Sequence, residues 1–360
     1  MALGPDIIET LARARSDLRM GVPVVIAGSA PGLVVAAETL SPARLDGMRA
    51  LGHDPVLAIT TWRAETLKAR VYDGDLARIA VGAEMGLATL QALADPKDDL
   101  ATPMKGPLMT VRHGDADGHR AAIQLCKAAR LLPAAFCVTV DIAAVSGLGL
   151  TVVDLAAAQD HLAGRSPLHP VVQARLPLEV SEAGRLHVFR PEDGGEEHYA
   201  VEIGRPDRSQ PVLSRLHSAC FTGDLMGSLK CDCGPQLRGA LRQMGEEGAG
   251  VLLYLNQEGR GIGLANKMRA YALQDQGFDT VEANHRLGFE DDERDFRLGS
   301  DILTSLGFRA VRLMTNNPAK VAMMEASGIA VAERVPLKVG ETQHNQAYLA
   351  TKAAKSGHLL

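Results

Sequence analysis

The chain has 360 residues, which is enough for two or three domains that each bury a core of their own. With 46% hydrophobic and 22% charged residues, the composition is typical of a globular α/β protein. The formal net charge of −5 excludes a global positive field that would attract nucleic acid or an anionic membrane, and 4% aromatic residues argue against base-stacking platforms. An anionic substrate would have to be held by local arginines and backbone N–H groups.

The first residues carry no pattern of a targeting signal. Residues 1–6 lack the basic-then-apolar order of a signal peptide, and no apolar run approaches the roughly 20 residues that span a bilayer. We therefore expect a cytoplasmic protein with reduced thiols and without a membrane partner.

The N-terminal region predicts alternating helices and strands. Apolar residues at helical spacing predict a helix over 7–20 that stops at Gly21, and the apolar runs 22–27 and 33–37 predict two strands paired through a turn at 28–32. Later elements predicted here are a helix over 118–126 capped by Asp117, a strand over 135–140 and a helix over 151–162. Cys126 and Cys137 have apolar neighbours and no metal-ligand spacing, so both are predicted to lie in the core.

Several short motifs in this order resemble 3,4-dihydroxy-2-butanone 4-phosphate synthase over most of residues 1–165. They are GVPVV from Gly21, LVVAAE from Leu33, Gly118-His119, PAA from Pro133, Gly147-Leu148 and TVVDL from Thr151. The resemblance implies an acidic, arginine-containing loop that binds Mg²⁺ and the sugar phosphate, but the loop here is the neutral 28–32.

Other synthase residues are also replaced. Arg120 and Ala121 or Ala122 stand where that family has a threonine and a glutamate after the histidine. A metal-assisted rearrangement that begins with proton abstraction requires such carboxylates. We therefore predict that the N-terminal domain is an inactive relative kept as a scaffold. For His119 we predict local hydrogen bonding at the helix start, the alternative being a leftover catalytic group.

A domain boundary is predicted near residues 169–171, where proline and glycine interrupt the helical pattern after Gly164. The predicted domains are residues 1–170 and 171–360, and the predicted fold class is α/β (α+β). Strands are expected over 186–189 and 199–203, divided by a polar turn.

Three of the five cysteines, Cys220, Cys231 and Cys233, have the spacing C-x10-C-x-C. A disulfide would leave one thiol over and suits a secreted protein, which nothing else indicates. Buried thiols that serve as small hydrophobic side chains are the other alternative. Three ligands rather than four favour a metal site that keeps one position open for water.

Two strand ends downstream have residues suited to phosphate. Strand 250–255 runs into a glycine-rich turn that contains Arg260, where a guanidinium and helix N–H groups can converge on a phosphate. Strand 310–315 is followed by Pro318 at a first helical position and by Lys320 in the first turn. A lysine there opposes the helix dipole, which favours an anionic ligand, although a solvated lysine is the alternative.

Together these residues resemble GTP cyclohydrolase II over essentially all of residues 171–360. The motifs are RLHS from Arg215, the cysteine stretch, NQEGRGIGL from Asn256, KMRAYALQDQGFDTVEA from Lys267, NHRLGF from Asn284, DERDF from Asp292, and TNNP from Thr315 with Lys320. One departure is Ala219, where many members have a glutamate.

The resemblance implies a zinc ion on Cys220, Cys231 and Cys233, one per subunit, whose water opens the imidazole ring of GTP and leads to formate release. It also implies that Arg294 attacks the α-phosphorus, with Asp292 as its base, and that Mg²⁺ accompanies the triphosphate. An Asp-x-Arg pair is otherwise a common surface ion pair.

Further site residues come from the same resemblance. Tyr271 lies near the opened ring, although a lone tyrosine on a helix can equally be a core residue. Gln236 and Glu258 read guanine, as an amide and a carboxylate can. The implied substrate-binding set is Arg215, His217, Ser218, Gln236, Glu258, Gly259, Arg260, Thr280, Thr315 and Lys320.

The expected activity is zinc-dependent hydrolysis of GTP to 2,5-diamino-6-ribosylamino-4(3H)-pyrimidinone 5′-phosphate, formate and pyrophosphate, at the start of riboflavin biosynthesis. Two alternatives are a paralogue that uses the same site in another pathway, such as pyrimidine catabolism, and a regulator that only binds nucleotide. Both families resembled imply a homodimer, and no nucleic-acid partner is expected.

Overall fold

The computed structural model describes residues 3–30, 32–162, 166–337 and 339. In chain order its helices are α1 (Ile7–Arg19), α2 (Pro42–Leu51), α3 (Thr61–Thr66), α4 (Leu87–Ala94), α5 (Asp117–Ala128), α6 (Ile142–Val145), α7 (Leu155–Leu162), α8 (Cys233–Glu247), α9 (Leu264–Asp275), α10 (Thr280–Arg286), α11 (Arg297–Ser305) and α12 (Pro318–Ala326). Its strands are β1 (Val24–Ala27), β2 (Gly32–Ala36), β3 (His53–Thr60), β4 (Leu76–Ala80), β5 (Ala134–Thr139), β6 (Val152–Asp154), β7 (Leu168–Arg175), β8 (Gly184–Pro191), β9 (His198–Ile203), β10 (Val212–Ser218), β11 (Gly250–Leu255), β12 (Ala310–Met314) and β13 (Ala330–Val335).

The chain forms two compact units, and this mixed α/β architecture agrees with the predicted fold class. The first unit comprises Met1–Arg165 with Ala265–Glu293, and the second comprises Ser166–Leu264 with Arg294–Leu360. These units are defined by contacts, whereas the domains 1–170 and 171–360 are predicted from the sequence, and their bounds stay a prediction. None of the described helices is long and apolar enough to cross a membrane.

A six-stranded mixed sheet, in the order β4-β3-β5-β2-β1-β6, forms the centre of the first unit. Strands β1 and β2 pair antiparallel with Val24 opposite Val34, which confirms the predicted pairing; Pro31, in the predicted turn, is outside the described residues. Alternation along β1 puts Val24 and Ile26 into one core and Val25 into the other, so helices cover both faces.

One predicted element of this unit is wrong. The helix expected over 151–162 begins only at Leu155, because Val152 and Val153 form β6 and pair parallel with Val25 and Ile26 of β1. Two adjacent β-branched residues favour the extended backbone. The Asp154 side chain then accepts hydrogen bonds from the nitrogens of Ala156 and Ala157 and so caps the shorter helix.

The other predictions for this unit need small corrections or none. Asp117 is the first residue of α5 rather than its cap, and the Asp115 carboxylate accepts from its backbone nitrogen at 2.9 Å. Cys126 and Cys137 are buried, as predicted. The expected local hydrogen bonding of His119 does not extend to its Nδ1 atom, which is buried and has no partner among the described residues.

A seven-stranded sheet, in the order β13-β12-β10-β11-β9-β8-β7, forms the centre of the second unit. Strands β11, β10, β12 and β13 are parallel, whereas β7, β8 and β9 continue the sheet antiparallel. The strands predicted at 186–189 and 199–203 are the middle of β8 and most of β9. The predicted break before residue 169 includes Gly164, which lies outside the described residues.

Candidate active site

Neighbouring parallel strands bring three loops of the second unit to one sheet edge. Strand β10 lies between β11 and β12, and all three run in the same direction. Their carboxyl ends lead to Cys220, Glu258 and Thr315, respectively. Ligands of open α/β sheets bind at such an edge, so the sheet topology explains why these distant motifs meet.

Three thiols meet directly after β10. The Sγ atoms of Cys220, Cys231 and Cys233 all lie within 4.8 Å of one another, with 3.7 Å between those of Cys220 and Cys231. Sulfur ligands about 2.3 Å from a shared tetrahedral ion are about 3.8 Å apart. No two of the described cysteines form a disulfide bond. The cluster therefore has the donor set and the spacing to hold a metal ion.

The thiols are also in a setting that needs a cation. The pKa of the Cys233 thiol is raised well above its usual value. The largest cause is its hydrogen bond with Cys220, and the hydrogen bond with Cys231 and burial contribute less. A bound divalent cation reverses this preference, because it stabilises the deprotonated ligands.

A glycine makes this close approach of the thiols possible. Residues Phe221–Leu225 form a single π-helical turn, and Gly223 faces the sulfurs from inside it. A Cβ atom at Gly223 would lie 2.7 Å from the Cys231 sulfur and 3.0 Å from the Cys220 sulfur. Gly223 is thus required by the shape of the thiol cluster.

Asp224 connects the thiol cluster to the sheet. Its Oδ2 atom accepts hydrogen bonds from the Cys220 backbone nitrogen and from the Tyr254 hydroxyl, both at 3.0 Å. His217 Nε2 lies 3.0 Å from both carboxylate oxygens. Burial lowers the pKa of His217 although Asp224 opposes the shift. His217 is therefore part of the support for Cys220.

Arg215 is buried beside the same cluster. Its Nη1 atom donates to the Met314 carbonyl at 3.2 Å, and its Nη2 atom donates to the Gln236 side chain, whose amide in turn donates to Asp232 between two of the cysteines. Burial lowers the pKa of Arg215 to about 10. The Nε atom is buried without a hydrogen-bond partner among the described residues, so a donor remains for a bound acceptor.

The glycine-rich turn after β11 reaches the same loop. Glu258 accepts from the Phe221 backbone nitrogen at 2.6 Å and from the Gly259 nitrogen at 2.9 Å. Gly259 and Arg260 both have left-handed backbone, with φ of 64° and 61°. That conformation is uncommon for arginine and turns the chain sharply where it passes the thiol cluster.

Two cations face one aromatic ring on this edge. The Arg294 guanidinium carbon lies 4.6 Å from the Phe296 ring centroid, and Lys320 Nζ lies 4.5 Å from it. Arg294 donates to Ser218 Oγ and Lys320 to the Leu216 carbonyl, both at 3.3 Å. Thr315 Oγ1 accepts from the Asn317 nitrogen at 3.0 Å at the start of α12. A pair of cations beside a helix start is a setting for phosphate.

Three predicted site residues belong to the first unit. Tyr271 lies on α9 with Lys267 Nζ 5.7 Å from its ring centroid, and Thr280 opens α10 and accepts from Gln274 Nε2 at 3.2 Å. Asp292 follows in the loop after α10. The remaining predicted residues, including Arg294, are in the second unit.

Sequence reasoning missed several residues that build this site: Gly223, Asp224, Tyr254 and Phe296. A Gly-Asp pair inside a cysteine stretch is the one signal that could have indicated the first two. No nearby residues in the sequence indicate the role of Tyr254. Its hydrogen bond to Asp224 depends on the register of β10 and β11, which puts Tyr254 opposite His217.

The chain is similar in sequence to known proteins over most of its length. The family model for GTP cyclohydrolase II matches residues 169–336. A GTP cyclohydrolase-2 from Azospirillum brasilense is 43% identical over 363 residues, covering 96% of this chain and 93% of the relative. One from Azotobacter vinelandii is 60% identical over 175 residues, covering 49% of this chain and 84% of the relative.

A likeness among solved structures also extends along the chain. A two-domain 3,4-dihydroxy-2-butanone 4-phosphate synthase from A. baumannii is 15% identical with a TM-score of 0.34, over 91% of this chain and 99% of that one. The Azospirillum relative is similar to this chain over almost the whole length of both proteins. The chain therefore belongs to the GTP cyclohydrolase II family.

Proposed function

We propose that this chain hydrolyses GTP to 2,5-diamino-6-ribosylamino-4(3H)-pyrimidinone 5′-phosphate, formate and pyrophosphate, at the start of riboflavin biosynthesis. The observation that carries the proposal is the position of the thiol cluster on the same sheet edge as Arg294 and Lys320. A purine nucleoside triphosphate has a ring to be opened at one end and phosphates to be held at the other.

The three thiols support zinc as the metal. Thiolates are soft ligands that select zinc among common divalent ions, and three of them leave one position open. Zinc bound there would supply the Lewis acidity that activates a water molecule for attack on the imidazole ring. Asp224 would hold Cys220 in place, and the left-handed turn at Gly259 and Arg260 would keep Glu258 beside the opening ring.

At the ring end the chain would recognise guanine through Gln236 and Glu258. An amide and a carboxylate together match the O6 acceptor and the N1 and N2 donors of guanine. Gln236 bonds to Arg215 and Asp232 in this structure, so binding of the base would exchange one of these contacts. Arg215 Nε offers a further donor.

At the phosphate end Arg294 would act on the α-phosphorus, with Asp292 as its base and Lys320 and Arg260 neutralising charge. In that step the Arg294 nitrogen bonds to phosphorus, pyrophosphate leaves, and Asp292 takes up the guanidinium proton. Water then hydrolyses the covalent intermediate. Mg²⁺ on the triphosphate would stabilise the leaving group. Tyr271 and Thr280 complete the proposed set.

The N-terminal domain is proposed to have no synthase activity. Ser29, in the loop that replaces the acidic loop of the synthases, donates to Asp115 Oδ2 at 2.9 Å. Arg120, which stands in for a synthase residue, is bound to Asp75. These local contacts support a structural use of the region.

The decisive experiment incubates the full-length protein with GTP, Zn²⁺ and Mg²⁺ and measures formate, pyrophosphate and the pyrimidine product together. Equal amounts of all three support the proposal, and no formate from GTP would contradict it. Parallel incubations with ATP and with ribulose 5-phosphate test base selectivity and synthase activity. Light scattering tests the expected homodimer, and fractionation of cells tests the expected cytoplasmic location.

A further inference from the structure

The N-terminal region binds the chain segment that carries three of the proposed site residues. Segment Ala265–Glu293 lies within the span of the family model, yet it belongs to the first compact unit. Tyr271, Thr280 and Asp292 are all on it. Whatever holds this segment therefore positions these three residues, including the proposed base Asp292.

Helix α3 and the strand before it attach the middle of the segment. Thr60 Oγ1 donates to the Gly288 carbonyl at 2.8 Å. The Trp62 ring stacks on His285 with 3.7 Å between centroids and 5° between planes, and its Nε1 atom donates to Glu290 Oε2 at 2.8 Å. These contacts fix α10 and the turn that follows it.

Helix α5 attaches the end of the segment. Lys127 Nζ lies 2.6 Å from Glu293 Oε1, and the two side chains are only 23% and 21% exposed. The same oxygen accepts from the Glu290 backbone nitrogen at 2.9 Å. Glu293 stands between Asp292 and Arg294 in sequence, so this ion pair directly anchors the part of the loop that bears the proposed base and leads to the proposed nucleophile.

We propose that Lys127 is a positioning residue for the cyclohydrolase reaction, and that the N-terminal region is needed for turnover because it holds the Glu293 loop. This inference rests on the proposed function. Lys127 does not touch substrate; it acts through Glu293 on the backbone of Asp292. A misplacement of about 1 Å at a reacting group lowers a rate by up to about 100-fold, so loss of this pair affects turnover more than binding.

Charge reversal and its repair test the ion pair. Lys127→Glu and Glu293→Lys should each lower kcat about tenfold or more and change KM for GTP by less than about threefold. The double variant Lys127→Glu/Glu293→Lys should recover most of the lost kcat, because the pair is restored with its charges exchanged. Glu293→Gln, which keeps the shape and removes the charge, should show the same direction of effect.

The repair also separates positioning from helix stability. Glutamate in the last turn of α5 opposes the helix dipole, and this cost persists in the double variant. An effect of Lys127→Glu on the stability of α5 through its dipole would therefore not be repaired. Trp62 is the chain's one tryptophan, so an unchanged emission spectrum reports that α10 still stacks on α3 in each variant.

Arg120 provides the matched control. It lies on the same helix and pairs with Asp75 and Asp117, neither of which belongs to the segment. Arg120→Glu should leave kcat within about twofold of wild type. If wild type is active and Lys127→Glu has the kcat of Arg120→Glu, or the double variant shows no recovery, the inference is overturned while the proposed function stands. A wild-type protein that releases no formate overturns both.

Discussion

The carboxylate of Asp224 accepts a hydrogen bond from the backbone nitrogen of Cys220, with 3.0 Å between Oδ2 and N. The same carboxylate contacts Tyr254 and His217, which are on neighbouring parallel strands. The first thiol of the cluster is therefore tied to two strands of the sheet through one side chain. A metal site supported in this way is organised before the metal binds.

Replacement of Asp224 by asparagine should weaken metal binding. The amide keeps the shape of the side chain but offers one oxygen where the carboxylate serves several donors. We expect the zinc dissociation constant to rise about tenfold or more, as for other supports of metal ligands. Competition with a chromophoric chelator measures it. The control is Tyr254→Phe, which keeps the hydrogen bond from the Cys220 nitrogen to Asp224. Equal zinc affinity of Asp224→Asn and wild type would refute the role of Asp224 as a support of Cys220.

Replacement of Gly223 by alanine should remove the metal site more completely. The added Cβ atom would lie 2.7 Å from one sulfur and 3.0 Å from another, so the cluster would have to open. Purified Gly223→Ala should contain far less zinc than wild type by elemental analysis. Gly239→Ala, on the helix that begins at Cys233, meets only side-chain methyl groups at 3.4 Å and beyond and should keep its zinc. Full zinc content in Gly223→Ala would show that the turn can adapt.

Local patterns in the sequence predicted much of this structure. The apolar runs of β1 and β2, the helix α1 and the cysteine spacing all depend on residues close together in the chain. Residues 151–154 show where this fails: Thr-Val-Val-Asp fits either a helix start or a strand. Only the parallel pairing of Val152 with Val25, more than a hundred positions earlier, decides between them.

In the site, too, features that depend on neighbouring residues could be predicted and features that depend on distant residues could not. The three thiols could be predicted because their spacing is local. Tyr254 could not, because it reaches Asp224 only through the register of β10 and β11. The packing of segment Ala265–Glu293 with the N-terminal region could not be predicted either. It depends on contacts between residues far apart in the chain, such as Lys127 with Glu293, and no sequence motif indicates them.

Arg294→Ala should abolish pyrophosphate release. If the guanidinium is the nucleophile, no neighbouring group replaces it, and the rate should fall by about 1,000-fold or more. A coupled assay for pyrophosphate measures the loss. Arg297→Ala is the control, because Arg297 is half-exposed and pairs with Asp295 at 2.8 Å. Normal pyrophosphate release from Arg294→Ala would exclude the nucleophile role.

His119→Gln should make the first unit more resistant to mild acid. Burial, and then the nearby Arg78, lower the pKa of His119 to about 4, although Asp73 and Asp115 oppose this shift. As the pH falls, the histidine of the unfolded chain is therefore protonated first, near pH 6.5, while the buried His119 stays neutral. The contribution of neutral His119 to the free energy of unfolding is complete above pH 6.5 and is lost as the pH falls towards about 4. By about pH 5 the loss is about 2 kcal/mol.

Urea unfolding followed by Trp62 emission at about pH 7.5 and pH 5 measures this loss in the first unit. Wild type should lose about 2 kcal/mol more than His119→Gln between the two pH values, because glutamine does not titrate. His53→Gln alters a largely exposed histidine beside Asp54 and should behave as wild type. The same pH dependence in wild type and His119→Gln would mean that the buried ring is protonated as readily in the folded chain as in the unfolded one.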